Sequence, residues 1–254
     1  MADVRRSADR FTTRGAGLRS RHSFSFGAFY DPANVGHAAL VAHNEDRVAP
    51  GSGYDLHPHA DVEVVTWVLE GSLVHTDSTG VSGQVVPGLA QLLSAGSGVL
   101  HSERNDAPGT AVATRFVQMW VRPDESGLRP SYAQGDVASL LVPGSLVPLV
   151  SGVPGLDAAV GLHTRGAALH VARLAPGQRV ALPDAPHLHV FVTRGAVDLE
   201  DAGLLEEGDA VRFAGAGSRW VRAVDAAGAA RPAAEVPAGL LAEPSAEVLV
   251  WQLP

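Results

Sequence analysis

Residues 57–71 read HPHADVEVVTWVLEG. Two histidines one residue apart lead into an apolar run, Val62–Leu69, that closes on an acid and a glycine. The run is short for a helix and rich in the β-branched and aromatic residues that suit a pleated strand. Similar runs recur at Gln84–Val86, Leu89–Leu93, Arg115–Val121, Leu169–Leu174, Val190–Val192 and Val248–Leu253, set between Gly, Pro, Asp and Ser. Short strands spaced in this way predict an all-β sandwich or barrel. A single helix is expected, over Ser131–Val142, where a polar start leads into mixed apolar positions.

The opening stretch has a counterpart in the second half of the chain. Residues 65–77, VTWVLEGSLVHTD, resemble residues 189–201, HVFVTRGAVDLED. A Gly-containing segment follows each, Pro87–Gly96 and Glu207–Ala216, so that Gly71 matches Gly195 and Gly88 matches Gly208. A period near half the chain indicates a duplicated domain and not a solenoid. The linker is expected near Val142–Pro154, where prolines and glycines cluster.

Composition removes several classes of function. The 254 residues contain no cysteine, which excludes a disulfide framework, thiolate catalysis and Cys-based metal sites. All 19 basic residues are arginine, so Schiff-base chemistry and a phosphate-binding lysine are absent. The net charge is −8 with no basic run, which argues against direct nucleic-acid contact. The N-terminal stretch has no apolar core of a secretory signal, and no window reaches the ~18 apolar residues of a membrane helix. A soluble cytoplasmic protein is the expectation. No serine sits in a G-x-S-x-G elbow, and the Gly-rich GAGLRS does not follow a strand as a dinucleotide site requires.

The chemistry concentrates in two short stretches. Gly51–His59 ends in His57-Pro-His59, and Gly96–Asn105 contains His101-Ser-Glu103. Side chains at i and i+2 of a strand face the same way, with Cα atoms roughly 6.5 Å apart. Two imidazoles so placed can share one metal at roughly 2.0–2.2 Å, and a neighbouring strand can add His101 and Glu103 from the same interior. Three nitrogens and one carboxylate oxygen suit a first-row ion, with iron, manganese, nickel, copper and zinc all open. Octahedral coordination would leave two positions for substrate, water or O2. Pro58, between the two histidines, is poorly tolerated in a central strand and points to an edge, a bulge or a strand entry.

These motifs resemble a known family. Gly51-x5-His57-x-His59-x3-Glu63 with Gly71 is similar to the first cupin motif, and Gly98-x2-His101-x3-Asn105 to the end of the second. RHSFSFGAFYDP, NEDRVAPGSGY, HPHADVEVVTWVLEG, HTDSTG and LSAGSGVLHSERN together resemble the pirin family over roughly residues 14–135. The resemblance implies a bicupin, two stacked antiparallel β-barrels of jelly-roll type. Residues 1–142 would form the metal-binding barrel and residues 143–254 a second barrel lacking ligands, since its equivalent segment, Ala214–Trp220, offers neither histidine nor carboxylate.

By the same resemblance the metal, usually Fe(II), would be held by His57, His59, His101 and Glu103, and Glu63 would have a supporting role. The activity implied is quercetin 2,3-dioxygenase-type cleavage of a flavonol-like aromatic substrate with O2, with Glu103 as general base. The alternative is a non-enzymatic, metal- or redox-responsive protein that binds a protein partner, as some pirins do. A monomer is expected. His187 and His189 form a second H-x-H with no H-x-E after it and are read as surface or interface histidines. His75 is expected to make a structural hydrogen bond. Phe24, Phe26 and Phe29 are read as packing residues, and Trp67, Met119 and Trp120 as barrel core.

Overall fold

The computed structural model describes residues 2–107, 109, 111–224 and 244–254. Its contacts divide the chain into two compact units. The N-terminal unit comprises Arg10–Ala138 and Ala159–Arg165; the C-terminal unit comprises Met1–Asp9, Ser139–Ala158 and Gly166–Pro254. Neither is a continuous stretch of chain. Among the described residues, helix is confined to two 3-10 turns, Ser7–Asp9 and Ala138–Leu140.

Strand β1 (Ala2–Arg5) belongs to the C-terminal unit. The N-terminal unit then runs through β2 (Phe11–Gly15), β3 (Leu18–His22), β4 (Leu40–Val48), β5 (Gly53–His59), β6 (Glu63–Glu70) and β7 (Leu73–Asp77). It continues with β8 (Ser82–Val85), β9 (Leu89–Ser94), β10 (Val99–Arg104), β11 (Thr114–Val121) and β12 (Ser131–Asp136). After β13 (Leu146–Ser151), the two-residue β14 (Val160–Gly161) falls in the N-terminal unit. The C-terminal unit is completed by β15 (Ala168–Leu174), β16 (Arg179–Ala181), β17 (His187–Arg194), β18 (Ala196–Leu199), β19 (Gly203–Glu206), β20 (Ala210–Ala214), β21 (Trp220–Val224) and β22 (Ala246–Leu253). The seven apolar runs picked out in the sequence lie on β6, β8, β9, β11, β15, β17 and β22, with Val62 just before β6 and Val86 just past the end of β8.

Each unit pairs a large sheet with a small one. In the N-terminal unit the orders are β12–β9–β6–β11–β4–β3–β2 and β5–β10–β7–β8; in the C-terminal unit they are β1–β20–β17–β22–β15–β13 and β16–β21–β18–β19. The small sheets coincide strand for strand, and the large ones match from β9 to β3 against β20 to β13, which gives the internal repeat a structural basis. The jelly-roll barrels foreseen from the sequence are thus realised as facing sheets that hydrogen bonds among the described residues do not close into one cylinder.

Two local expectations are corrected. Ser131–Val142 is not a helix: its first half is β12, which pairs with β9 through Tyr132↔Leu93 and Gln134↔Gln91. Partner strands override a weak local pattern here. The Pro/Gly-rich segment read as a linker contains β13, where Pro148 pairs with His170 beside a break in register before Val150. A proline is tolerated at such an irregularity.

The interiors differ. In the C-terminal unit one apolar cluster spans both sheets, with Val190, Val192, Val211, Val248 and Val250 from the large sheet packed on Val197, Leu199, Val221 and Ala223 from the small one. In the N-terminal unit, Val48, Val68, Leu73, Val85 and Phe116 form one cluster, and Val62, Val64, Leu93, Ala95 and Val99 another. Along β6 the inward residues alternate Val64, Thr66 and Val68, so a polar row separates the two clusters. That row runs Gln91↔Thr66↔Gln118 across β9, β6 and β11. Trp67 and Met119, expected in the barrel core, are fully buried but on the opposite face of this sheet. Trp120 packs against the second cluster.

Candidate metal centre

The small sheet of the N-terminal unit brings the two motifs side by side. β5 and β10 are antiparallel, with Val99↔His59 and Leu100↔Pro58, and His101 directly opposite His57. A register shift between His101 and Glu103 then sets Glu103 opposite Tyr54. β5 is an edge strand, which accommodates Pro58. Gly53 lets the strands approach closely, because a Cβ there would lie 2.4 Å from the Glu103 carbonyl oxygen.

Three imidazoles converge. Ring centroids are 4.4 Å apart for His57 and His101, 4.9 Å for His59 and His101, and 4.9 Å for His57 and His59. Their possible ligand atoms all lie within 4.8 Å of one another. His57 Nδ1 donates to the Asp55 carbonyl at 2.7 Å, which leaves Nε2 as the free lone pair. Trp120 meets His59 edge-on at 4.8 Å. Burial, reinforced by neighbouring His57, holds His59 down at about 4. Burial together with His57, His59 and His75 holds His101 at about 3. Both rings are therefore neutral near pH 7, the form that ligates a metal.

Glu103 is wholly buried. Burial raises its pKa, against the lowering effect of the Gln118 amide, His75, His57 and Gln91. Gln118 Nε2 donates to Glu103 Oε2 at 2.6 Å, and Gln118 Oε1 accepts from Trp120 Nε1 at 3.2 Å. Gln91 Oε1 accepts from the Tyr132 hydroxyl at 3.2 Å. The polar row thus faces the site and orients the carboxylate. Behind it, burial lifts the Asp46 carboxyl to about 7, with hydrogen bonding from Ser20 opposing and the charge of Glu103 adding to the rise.

His75 joins His101 and Glu103 in a second group whose ligand atoms lie within 4.8 Å of one another. Its Nε2 also makes the structural hydrogen bond read from the sequence, 3.0 Å from Asp77 Oδ2. Glu63 lies apart from both groups. Its carboxylate accepts from the His163 backbone N–H at 2.9 Å, the Thr164 backbone N–H at 3.1 Å and the Thr164 hydroxyl at 3.0 Å. It ties the Ala159–Arg165 segment to β6, a hundred residues away in sequence. In the C-terminal unit, His187 Nδ1 donates to the Pro254 carbonyl at 2.8 Å and His189 is buried. Neither belongs to a potential metal group among the described residues. Phe24 is buried, Phe26 stacks on His22 at 4.8 Å, and Phe29 stacks on Phe11 at 4.9 Å.

The family model described as Pirin matches residues 4–121. A Mycobacterium tuberculosis protein provisionally named quercetin 2,3-dioxygenase is 49% identical over 251 residues, 99% of this chain and 94% of its own length. The chain belongs to the pirin family. As a pirin it is a member of the cupin superfamily, in keeping with its paired sheets. The Escherichia coli K12 protein named quercetin 2,3-dioxygenase is 40% identical over 134 residues, 53% of this chain and 57% of that one. The crystal structure of the bacterial pirin YhhW from Escherichia coli, in complex with nickel(II), matches with a TM-score of 0.84 at 28% identity, over 100% of this chain and 99% of that chain. Among the described residues of this pirin, no helix is long and apolar enough to cross a membrane.

Proposed function

We propose that this pirin holds one divalent first-row metal ion through His57, His59, His101 and Glu103, and uses it to cleave a flavonol-like aromatic substrate with O2. The observation that carries the metal reading is a set of buried atoms without hydrogen-bond partners: His59 Nε2, His101 Nε2 and Glu103 Oε1. Leaving such atoms unpaired costs roughly 1–3 kcal/mol each, more for a charged group, so a cation among them removes a large penalty. The donor set fits iron, and equally manganese, nickel, copper or zinc.

When bound, the ion would act as a Lewis acid that makes a coordinated flavonol hydroxyl more acidic. The chain's own groups then divide the work. Glu103, made more basic by burial, accepts the hydroxyl proton, and the Gln118 amide, which donates to Oε2, holds the carboxylate in place. His59, kept neutral by burial, stands two residues from His57 on β5. A cleft of about 610 Å³ opens beside His59, lined also by Pro58, Ala60, Ser78, Gly98, Val99 and Leu100. Its largely apolar wall suits a flat aromatic molecule and sheds water from it.

The test is metal analysis of protein purified without chelator, followed by O2 uptake and loss of quercetin absorbance. One equivalent of metal and stoichiometric O2 consumption are expected. Metal-loaded protein that leaves quercetin untouched would overturn the dioxygenase assignment while keeping the ligand set.

A further inference from the structure

His101 has two ring nitrogens, and only Nε2 is accounted for by the site above. Its Nδ1 lies 3.4 Å from Nδ1 of His75. Two ring nitrogens that share a hydrogen bond need one proton between them, so one donates and the other accepts. On the far side of His75, Nε2 is 3.0 Å from Asp77 Oδ2. The other oxygen, Asp77 Oδ1, accepts from the Thr79 backbone N–H at 2.8 Å and the Thr79 hydroxyl at 2.6 Å. The carboxylate is therefore fixed in rotation, with Oδ2 committed to His75.

The polarity of the chain follows. An ionised carboxylate only accepts, so a His75 ring bearing a single proton carries it on Nε2 and offers a lone pair at Nδ1. His101 must then be protonated at Nδ1 and bare at Nε2, the buried atom without a partner. The opposite polarity would put a proton on His101 Nε2 and block it. The His75 and Asp77 side chains are 0% and 1% exposed, so water cannot substitute for either partner. Tyr132 stacks on His75 at 4.5 Å and 26°, which holds the ring in place. The backbone supports the alignment: β7 pairs with β10 through Asp77↔His101 and His75↔Glu103.

We propose that Asp77 and His75 are positioning residues, a carboxylate–imidazole relay that fixes the tautomer of His101 and keeps its Nε2 lone pair turned toward the metal position. The proposal rests on the ligand set given above. It assigns to the HTD segment a task that the H-x-H and H-x-E motifs do not reveal. Outer-shell partners of this kind typically change metal affinity by about 10–100-fold.

Two measurements on the full-length chain test it. The first is 15N NMR of histidine-labelled, chelator-treated wild-type protein. His101 is expected to be protonated at Nδ1 and His75 at Nε2; a His101 ring protonated at Nε2 overturns the relay, and this readout needs no variant to fold. The second is Ni(II) titration of wild type and Asp77→Asn, with circular dichroism to verify folding. The variant is expected to bind Ni(II) about 10–100-fold more weakly and to show a shifted His101 tautomer. Unchanged Ni(II) affinity in folded Asp77→Asn overturns the relay alone, whereas a wild type that takes up no Ni(II) overturns the ligand set on which it stands.

Discussion

The two small sheets have the same strand order and opposite interiors. In the N-terminal unit, the edge strand and its neighbour turn His57, His59, His101 and Glu103 inward. In the C-terminal unit the equivalent pair, β16 and β21, turns Val180, Val221 and Ala223 into an apolar core and leaves Trp220 and Arg222 outside. The large sheets repeat the contrast. Gln91, Thr66 and Gln118 form one row in the N-terminal unit; the corresponding row in the C-terminal unit is Val211, Val190 and Val250. The metal-binding candidate is thus more than four side chains on a common scaffold. A polar floor separates two apolar clusters in its unit, whereas among the described residues of the other unit a single apolar cluster spans the space between the two sheets.

Four changes probe this contrast, beginning with the greatest effect. Glu103→Gln keeps the shape of the side chain and removes the proton acceptor. Quercetin-dependent O2 uptake is expected to fall by about 10²–10⁴-fold with the fold retained, as circular dichroism would report. A variant with the wild-type rate would remove Glu103 from the chemistry. Next, Val250→Gln places a polar amide in the valine row. Without partners there, and with little room, it should destabilise the chain by roughly 2–5 kcal/mol in urea unfolding. A neutral effect would mean that the C-terminal interior tolerates polarity as well as the N-terminal one does.

The reciprocal change, Gln118→Leu, makes the N-terminal row more apolar and takes the donor from Glu103 Oε2. Ni(II) binding is expected to weaken by about 10–100-fold, measured by competition with a chelating dye. Smallest is Glu63→Gln, which weakens the hold on His163 and Thr164. A loss of about 1–2 kcal/mol is expected with Ni(II) affinity unchanged. A large drop in affinity would instead bring Glu63 into the metal centre.

Much of this was legible in the chain itself. Alternation placed His57 with His59 and His101 with Glu103 on common faces, and the short apolar runs lie on strands. Other parts depend on pairings that sequence proximity does not reveal. Gln91 and Gln118 meet the site because β9 and β11 both flank β6, and Glu63 reaches His163 and Thr164 across a hundred residues. A signal for the floor was nevertheless present: VVTWV, LAQLL and FVQMW each carry one polar residue inside an apolar strand, all in the inward phase. Ser131–Asp136 misled because its composition is neutral and its strand state comes from pairing with β9.

The contrast between the units reduces to one count, the Ni(II) stoichiometry of the wild-type chain measured beside His101→Ala and His189→Ala. One ion per chain is predicted for wild type and for His189→Ala, and none for His101→Ala. Two ions per chain, or binding that survives His101→Ala and disappears in His189→Ala, would contradict the assignment of the metal to the N-terminal unit.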